Sequence, residues 1–308
     1  RTATRTTPAA GHFEVRNDYC QMFVDTGRRP QNFLRDTDMK NRHADYPKLE
    51  RLITLKDQIF KMRATPAMCL KADLRSFPLT NLGSKFDAIL IDPPWAEYEE
   101  RVAGTHVKGE NLTPWSMDEM SSLRIAEIAD TPSFVFLWCG AQHLEQGRVL
   151  LRRWGFRRTE DICWVKTTKW NDAQAGPDGK APNVTLGLDQ SILQRTVEHC
   201  LLGIKGAVRR NQDTNIIHAN IDTDVIIDEE PRDLGSTRKP AEIYSIIEHF
   251  ALGRRRLELF GRDHNVRDGW VTVGEQISNS NYNARIFNSW FLGTDEYPTV
   301  KEYKGGRF

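Results

Sequence analysis

Asp92-Pro93-Pro94-Trp95 follows directly on the apolar run Phe86-Asp87-Ala88-Ile89-Leu90-Ile91. Such a run reads as a buried parallel strand, and open α/β sheets place ligands at the carboxyl ends of their strands. A carboxylate and a rigid main-chain carbonyl side by side suit one kind of chemistry in particular. The exocyclic amine of adenine is a poor nucleophile because its lone pair is delocalised into the ring. Two acceptors that take its N–H hydrogens draw the nitrogen toward tetrahedral geometry and free that pair. Asp92 would be the first acceptor and the Pro93 carbonyl the second, with Pro93 and Pro94 locking the backbone that aims them. Trp95 would offer a face for the base, a contact contributing ~1–3 kcal/mol. A methyl donor held in line with the amine completes the reaction, and no metal is required. The plainer reading of the same four residues is a strand that ends in a proline turn.

Further along, Lys239-Pro240 precedes a helical stripe, and Glu258-Leu259-Phe260-Gly261-Arg262-Asp263-His264-Asn265 closes another strand. There Lys239 or Arg262 would pair a donor carboxylate and Asn265 would bond its ribose. Read plainly, Lys239 and Arg262 are surface charges and His264 a loop histidine. No G-x-G-x-x-G occurs, which speaks against a dinucleotide site.

The elements that must position these residues alternate. Leu49, Leu52, Ile53, Leu55 and Ile59 recur at helical spacing from Pro47 to Met62. The segments 134–138 and 200–204 read, like 86–91, as buried parallel strands. Helices are expected from Met117 to Ile128, around Leu144, Val149, Leu150 and Leu151, and along Ile243, Ile246, Ile247 and Phe250. A strand follows at 256–260, ended by Gly261. This β-α-β order predicts one α/β domain over 16–290, after a flexible lead-in at 1–15 and before a tail at 291–308. A Gly-, Pro-, Asp- and Asn-rich stretch from Trp170 to Leu188 reads as a long loop.

Hydrophobic residues make up 39% and charged residues 28% of the 308, the balance of an ordinary globular chain, without the ~18-residue apolar run of a membrane span. The five cysteines are scattered with no C-x-x-C pair, which argues for a reducing compartment and against structural zinc. No secretory signal is visible, and the first residue is not Met. A net charge of +1 leaves nucleic-acid binding to local patches. The clusters are Lys205 with Arg209 and Arg210; Arg254, Arg255 and Arg256; Arg152-Arg153 with Arg157-Arg158; and Lys166 with Lys169. We expect Lys205, Arg209, Arg210 and the 254–256 run to rim the pocket; taken singly, each cluster reads as a solvated element end.

Longer stretches then decide the family. Asn17-Asp18-Tyr19-Cys20-Gln21, Phe136-Leu137-Trp138-Cys139-Gly140, Glu160-Asp161-Ile162-Cys163-Trp164, Glu198-His199-Cys200, Ile217-His218-Ala219-Asn220 and Thr272-Val273-Gly274 resemble the eukaryotic N6-adenine methyltransferases. These include the two subunits of the mRNA N6-adenosine methyltransferase. The resemblance runs from about Asn17 to Asn283 and is strongest to the methyltransferase-like 14 branch. It implies a Rossmann-like, mostly parallel sheet flanked by helices, with the acceptor motif early and the donor-binding end late. It implies S-adenosyl-L-methionine as cofactor, held by Asp73, Leu74, Asp92, Lys239, Arg262, His264, Asn265 and Gln276. It also implies a second methyltransferase-family subunit as heterodimer partner, RNA as substrate, and a place in the nucleus.

One departure separates the chain from that branch. Its animal members carry Glu-Pro-Pro-Leu at the acceptor motif, lack the His-Asn pair after Gly-Arg, and serve as non-catalytic scaffolds. Here Asp92, Trp95, His264 and Asn265 are all present. The expectation is therefore an active adenine N6-methyltransferase subunit acting on RNA. The alternatives are the same chemistry on DNA, or a non-catalytic nucleic-acid-binding or transcription-associated scaffold. Glu275 stands where the catalytic subunit has an amide, and the loop from Tyr98 to Trp115 differs from that subunit's. The end at Lys304-Gly305-Gly306-Arg307-Phe308 reads as a plain terminus or as the start of an Arg-Gly tail.

Overall fold

The structure, a computed structural model, describes residues 19–30, 32, 41–100, 113–168, 193, 195–207, 222–233, 235–251 and 254–293. The lead-in at 1–15, the loop at 170–188, Arg209 and Arg210, and the tail from 294 lie outside the described residues.

The chain divides into two compact units, Arg1–Asp57 and Gln58–Phe308, where the sequence predicts one domain. The boundary falls inside the continuous helix Pro47–Arg63, so no linker or composition shift marks it. In the first unit, helix Tyr19–Thr26 carries Met22, whose sulfur accepts from the Tyr46 hydroxyl at 2.7 Å. Tyr19 meets Tyr46 edge-on at 5.0 Å.

The second unit holds an eight-stranded sheet in the order β1-β8-β7-β2-β3-β5-β4-β6. Its strands are β1 (Met68–Lys71), β2 (Phe86–Ile91), β3 (Ala129–Cys139), β4 (Arg157–Thr167), β5 (Val197–Lys205), β6 (Val225–Glu229), β7 (Arg256–Leu259) and β8 (Trp270–Gly274). All neighbours run parallel except β5, which is antiparallel to both β3 and β4. This is a Rossmann-like, mostly parallel sheet flanked by helices.

Strand alternation sorts the core into two layers. From β2, Ile89 and Ile91 join Val135, Leu137, Leu257, Leu259, Leu150 and Leu151 on one face. Ala88 and Leu90 join Phe136, Trp138, Trp164, Ile243 and Ile247 on the other. Because both faces are covered, the strands read as continuous apolar runs, which hides strand direction. The reading of 200–204 as a parallel strand is thereby corrected: β5 is antiparallel. Its first residues therefore lie beside the carboxyl ends of β3 and β4, with Cys139 opposite His199 and Val165 opposite Val197.

The expected helix from Met117 to Ile128 is two short ones, Met117–Ser122 and Ile125–Ile128. Ser116 and Glu119 form a capping box at the start of the first. Helices Leu144–Arg153 and Glu242–Phe250 form where their apolar stripes predict them. At the carboxyl edge, β7 and β8 end in glycines that meet closely. A Cβ on Gly274 would lie 2.0 Å from the Gly261 carbonyl oxygen, so only glycine fits there.

Candidate active site

The carboxyl ends of β2, β7 and β8 open into a cavity of about 300 Å³, at the small end of ligand-sized sites. Asp92, Pro93 and Pro94 line it from the end of β2; Glu258, Phe260, Gly261, Arg262, His264 and Asn265 from the end of β7; Glu275 and Gln276 from beyond β8. Thr237, Arg238 and Lys239 also line it, as do Arg75, Tyr98, Thr113 and Trp115. Asp92 and the residues from Glu258 to Asn265, far apart in sequence, thus meet because β2 and β7 are hydrogen-bonded neighbours.

Asp92, half-buried with its side chain 21% exposed, is the carboxylate at the end of β2 in this cavity. Burial pushes its acid up to about 6, Lys239 and Arg262 pull it down, and the negative charge of Glu198 adds to the rise. Lys239 Nζ lies 3.2 Å from Asp92 Oδ1 and 2.8 Å from Glu198 Oε1. The same ammonium donates to the Tyr98 hydroxyl and to the Thr237 carbonyl, each at 3.0 Å. Lys239 therefore sits beneath Asp92 as its counter-ion. Arg262, the other cation expected there, lines the cavity and donates to Thr237 Oγ1 at 3.1 Å.

A second acid stands one strand over. Glu258 is 2% exposed and accepts from the Tyr244 hydroxyl at 2.9 and 3.0 Å. Burial dominates its environment, and with the nearby Asp92 it pushes Glu258 up to about 8, so the group is mostly neutral at pH 7. Asn265 extends this network: its Nδ2 donates to Tyr244 at 2.8 Å, and its Oδ1 accepts from the Arg262 amide at 2.8 Å. That leaves Asn265 one N–H and one lone pair for a ligand. Phe260, at φ 64, holds a left-handed conformation that is rare outside glycine and turns β7 out of the sheet at the cavity wall.

Two expected contacts are relocated. Trp95 does not offer a face to the cavity: it is 2% exposed, donates to the Trp138 carbonyl at 2.7 Å and stacks on His143 at 4.6 Å. The residue after a strand end turns back into the core here, and its indole N–H finds a buried partner. The aromatic wall of the cavity is Trp115, edge-on to Phe260 at 4.9 Å and covered by the Arg75 guanidinium at 4.6 Å. Asp73 and Leu74 do not line the cavity. Leu74 is core, and Asp73 caps its own turn, accepting from the Arg75 amide at 2.9 Å. The Pro93 carbonyl already accepts from the Trp95 amide at 2.9 Å, which leaves it one lone pair.

The expected basic rim is also corrected. Lys205 ends β5, so the antiparallel direction of that strand carries it to the opposite edge of the sheet, where it donates to the carbonyls of Ala126 and Ala129. Arg254, Arg255 and Arg256 start β7 and lie at that same far edge. Arg254 donates to the Arg63 carbonyl, Arg255 bridges Asp87 and Asp130, and Arg256 is 5% exposed over the Phe60 ring. These cations hold the fold and do not rim the cavity. Arg209 and Arg210 lie outside the described residues.

Sequence reasoning assigned no role in the site to Tyr98, Glu198, Glu258 and Tyr244, and took Lys166 only as part of a basic cluster with Lys169. A signal existed for two of them. Glu258 is a carboxylate inside the apolar run Leu257-Glu258-Leu259, and Glu198 opens a strand whose next buried residues are all apolar. A charge in such a place is rare unless paired.

The MT-A70 family pattern matches residues 86–276, from the start of β2 to the far wall of the cavity. The chain belongs to the MT-A70 family. It is 52% identical over 279 residues to the N(6)-adenosine-methyltransferase non-catalytic subunit METTL14 of Xenopus tropicalis, covering 89% of this chain and 58% of that protein. The METTL14 of Drosophila melanogaster is 50% identical over 278 residues, 89% of this chain and 67% of its own. The N(6)-adenosine-methyltransferase MT-A70-like protein of the same fly is 34% identical over 212 residues, which places the chain on the METTL14 side of the family. The chain spans 58% of the length of the Xenopus relative. It carries an Asp-Pro-Pro-Trp motif whose Asp92, Pro93 and Pro94 line the cavity.

Proposed function

We propose that this MT-A70 chain is an S-adenosylmethionine-dependent adenine N6-methyltransferase subunit that acts on RNA, working with a second methyltransferase-family subunit in the nucleus. One observation carries the reading. Asp92 Oδ1 is buried beside the Lys239 ammonium at 3.2 Å, receives no well-aimed hydrogen bond among the described residues, and shares a cavity with Arg262, His264, Asn265 and Gln276. A ligand N–H would complete the hydrogen bonding of that buried oxygen.

The lining fits the cofactor: a guanidinium for a carboxylate, and histidine and amide side chains for hydroxyls and ring nitrogens. When bound, S-adenosylmethionine supplies an electrophilic methyl group on its sulfonium. The chain's own residues do the rest. Asp92, ionised above about pH 6, accepts one N–H of the acceptor amine, and the remaining lone pair of the Pro93 carbonyl accepts the other. Neutral Glu258 adds no second negative charge beside Asp92, and Trp115 walls the space a flat base would enter.

The test is calorimetry of S-adenosylmethionine with the purified chain, followed by labelled methyl transfer onto adenine-containing RNA and DNA by the assembled complex. Donor binding, and transfer that falls ~10²–10³-fold in Asp92→Ala, support the reading. A second reading rests on the printed names of the METTL14 relatives, which are non-catalytic subunits. In that case the cavity is a structural remnant; the chain binds no donor, and Asp92→Ala leaves the complex as active as the parent. Preference for DNA over RNA would keep the chemistry and change the substrate.

A further inference from the structure

A ladder of alternating charges runs away from Asp92 along the carboxyl edge of the sheet. Lys239 contacts Asp92 and Glu198; Glu198 Oε2 lies 3.2 Å from Lys166 Nζ; and Lys166 donates to Glu230 at 2.9 Å. The side chains of Glu198, Lys239 and Lys166 are 1%, 7% and 9% exposed, and Glu230 opens the ladder to solvent at 26%. The rungs come from β5, the end of β4, the residue after β6 and the segment before helix Glu242–Phe250.

The donor count at Lys239 gives the ladder a purpose. An ammonium has three N–H donors. Four acceptors surround this one: Glu198 at 2.8 Å, Tyr98 and the Thr237 carbonyl at 3.0 Å, and Asp92 at 3.2 Å. Lys239 donates to Tyr98 and to the Thr237 carbonyl and is drawn closest to the Glu198 carboxylate. Tyr98 locks the arrangement, because its hydroxyl donates to Glu198 Oε1 at 2.7 Å and so turns its lone pairs toward Lys239. Asp92 Oδ1, the most distant of the four at 3.2 Å, keeps the positive charge beside it but receives no well-aimed hydrogen bond. A carboxylate bonded directly to lysine would have its lone pairs occupied; this one keeps them for an incoming N–H.

We propose that Glu198 is a positioning residue for Asp92, acting through Lys239, and that Tyr98 and Lys166 hold Glu198 in that role. Glu198 draws the lysine protons away from Asp92 while leaving the lysine charge in place. The inference rests on the reading of Asp92 as the amine acceptor, and it is tested by a measurement that needs no turnover.

The groups facing Asp92 are Lys239, Glu198, Arg262 and Glu258, with the thiols of Cys139 and Cys200 buried nearby. In Glu198→Gln the amide carries no charge, so a lysine proton turns to Asp92. Loss of the Glu198 charge and gain of that hydrogen bond both favour the ionised acid. The experiment is carboxyl-carbon NMR titration of the full chain labelled at aspartate, with the Asp92 signal assigned by its loss in Asp92→Asn. Asp92 should titrate about one unit or more lower in Glu198→Gln than in the parent. Tyr98→Phe, which removes only a hydroxyl and frees one lysine proton, should lower it in the same direction and guards against a folding defect in the first variant. If both folded variants titrate Asp92 as the parent does, or higher, the positioning role is overturned. Absence of donor binding in the parent would overturn the proposed function and leave this titration readable.

Discussion

Lys239→Met separates a structural counter-ion from a lysine held for a ligand. Methionine keeps much of the length and the apolar stem but removes the ammonium that lies 2.8 Å from Glu198 and 3.2 Å from Asp92. At an effective dielectric near 20, each contact represents about 5 kcal/mol of gross attraction, offset in part by the cost of burying the lysine charge itself. Removing one member of a buried ion pair costs ~3–5 kcal/mol net, because the partner is left uncompensated. We expect a loss in that range at pH 8, read by urea unfolding of the full chain. The loss must also depend on pH. Without Lys239, Asp92 titrates still further above its unfolded value, so the folded variant holds a proton that the unfolded chain has released. Its stability therefore recovers as pH falls from the raised folded value toward the unfolded one. At pH 5 the deficit relative to the parent should shrink by half or more. A deficit under about 1 kcal/mol at pH 8, or one equal at both pH values, would refute the counter-ion argument.

Glu258 is raised from 4.5 to about 8, so folding takes up a proton between those pH values and stability falls as pH rises through them. Glu258→Gln should flatten that slope by up to ~1.4 kcal/mol per pH unit, measured by denaturation from pH 5 to 8; an unchanged slope would mean the acid is ionised in the fold. Trp95→Ala should cost ~3–5 kcal/mol in melting experiments, because the indole is core and its partner carbonyl loses a donor. A variant that melts like the parent but binds adenine ligands weakly would return Trp95 to the cavity. Arg255→Ala should destabilise by ~1–2 kcal/mol through the exposed pair Asp87 and Asp130, while the salt dependence of RNA binding by the assembled complex stays that of the parent. A flatter salt slope would make the far edge of the sheet a nucleic-acid face.

The strands β2, β3, β5 and β7, the helices around 144–153 and 242–250, and the Asp-Pro-Pro-Trp motif at a strand end followed from the sequence alone, because all are local patterns; β1, β4, β6 and β8 were not read from it. Apolar runs at 86–91 and 256–259 predict β2 and β7, and the glycine and proline positions predict where each stops. The long exact stretches also sufficed for the family. Strand direction was different. A strand covered on both faces shows the same apolar run whichever way it points, so nothing local marks β5 as antiparallel. That one direction decides two outcomes at once: it brings Glu198, at the start of β5, to Lys239 and Asp92, and it carries Lys205, at the end, to the far edge. The indole of Trp95 follows the same rule. Its residue type permits a binding face or a core anchor, and only the Trp138 carbonyl, delivered by a neighbouring strand, selects the core. Sequence fixes which groups are present and in what order. Which of them share protons depends on long-range pairing, since hydrogen bonds and ion pairs act over a few ångströms between residues that lie far apart along the chain.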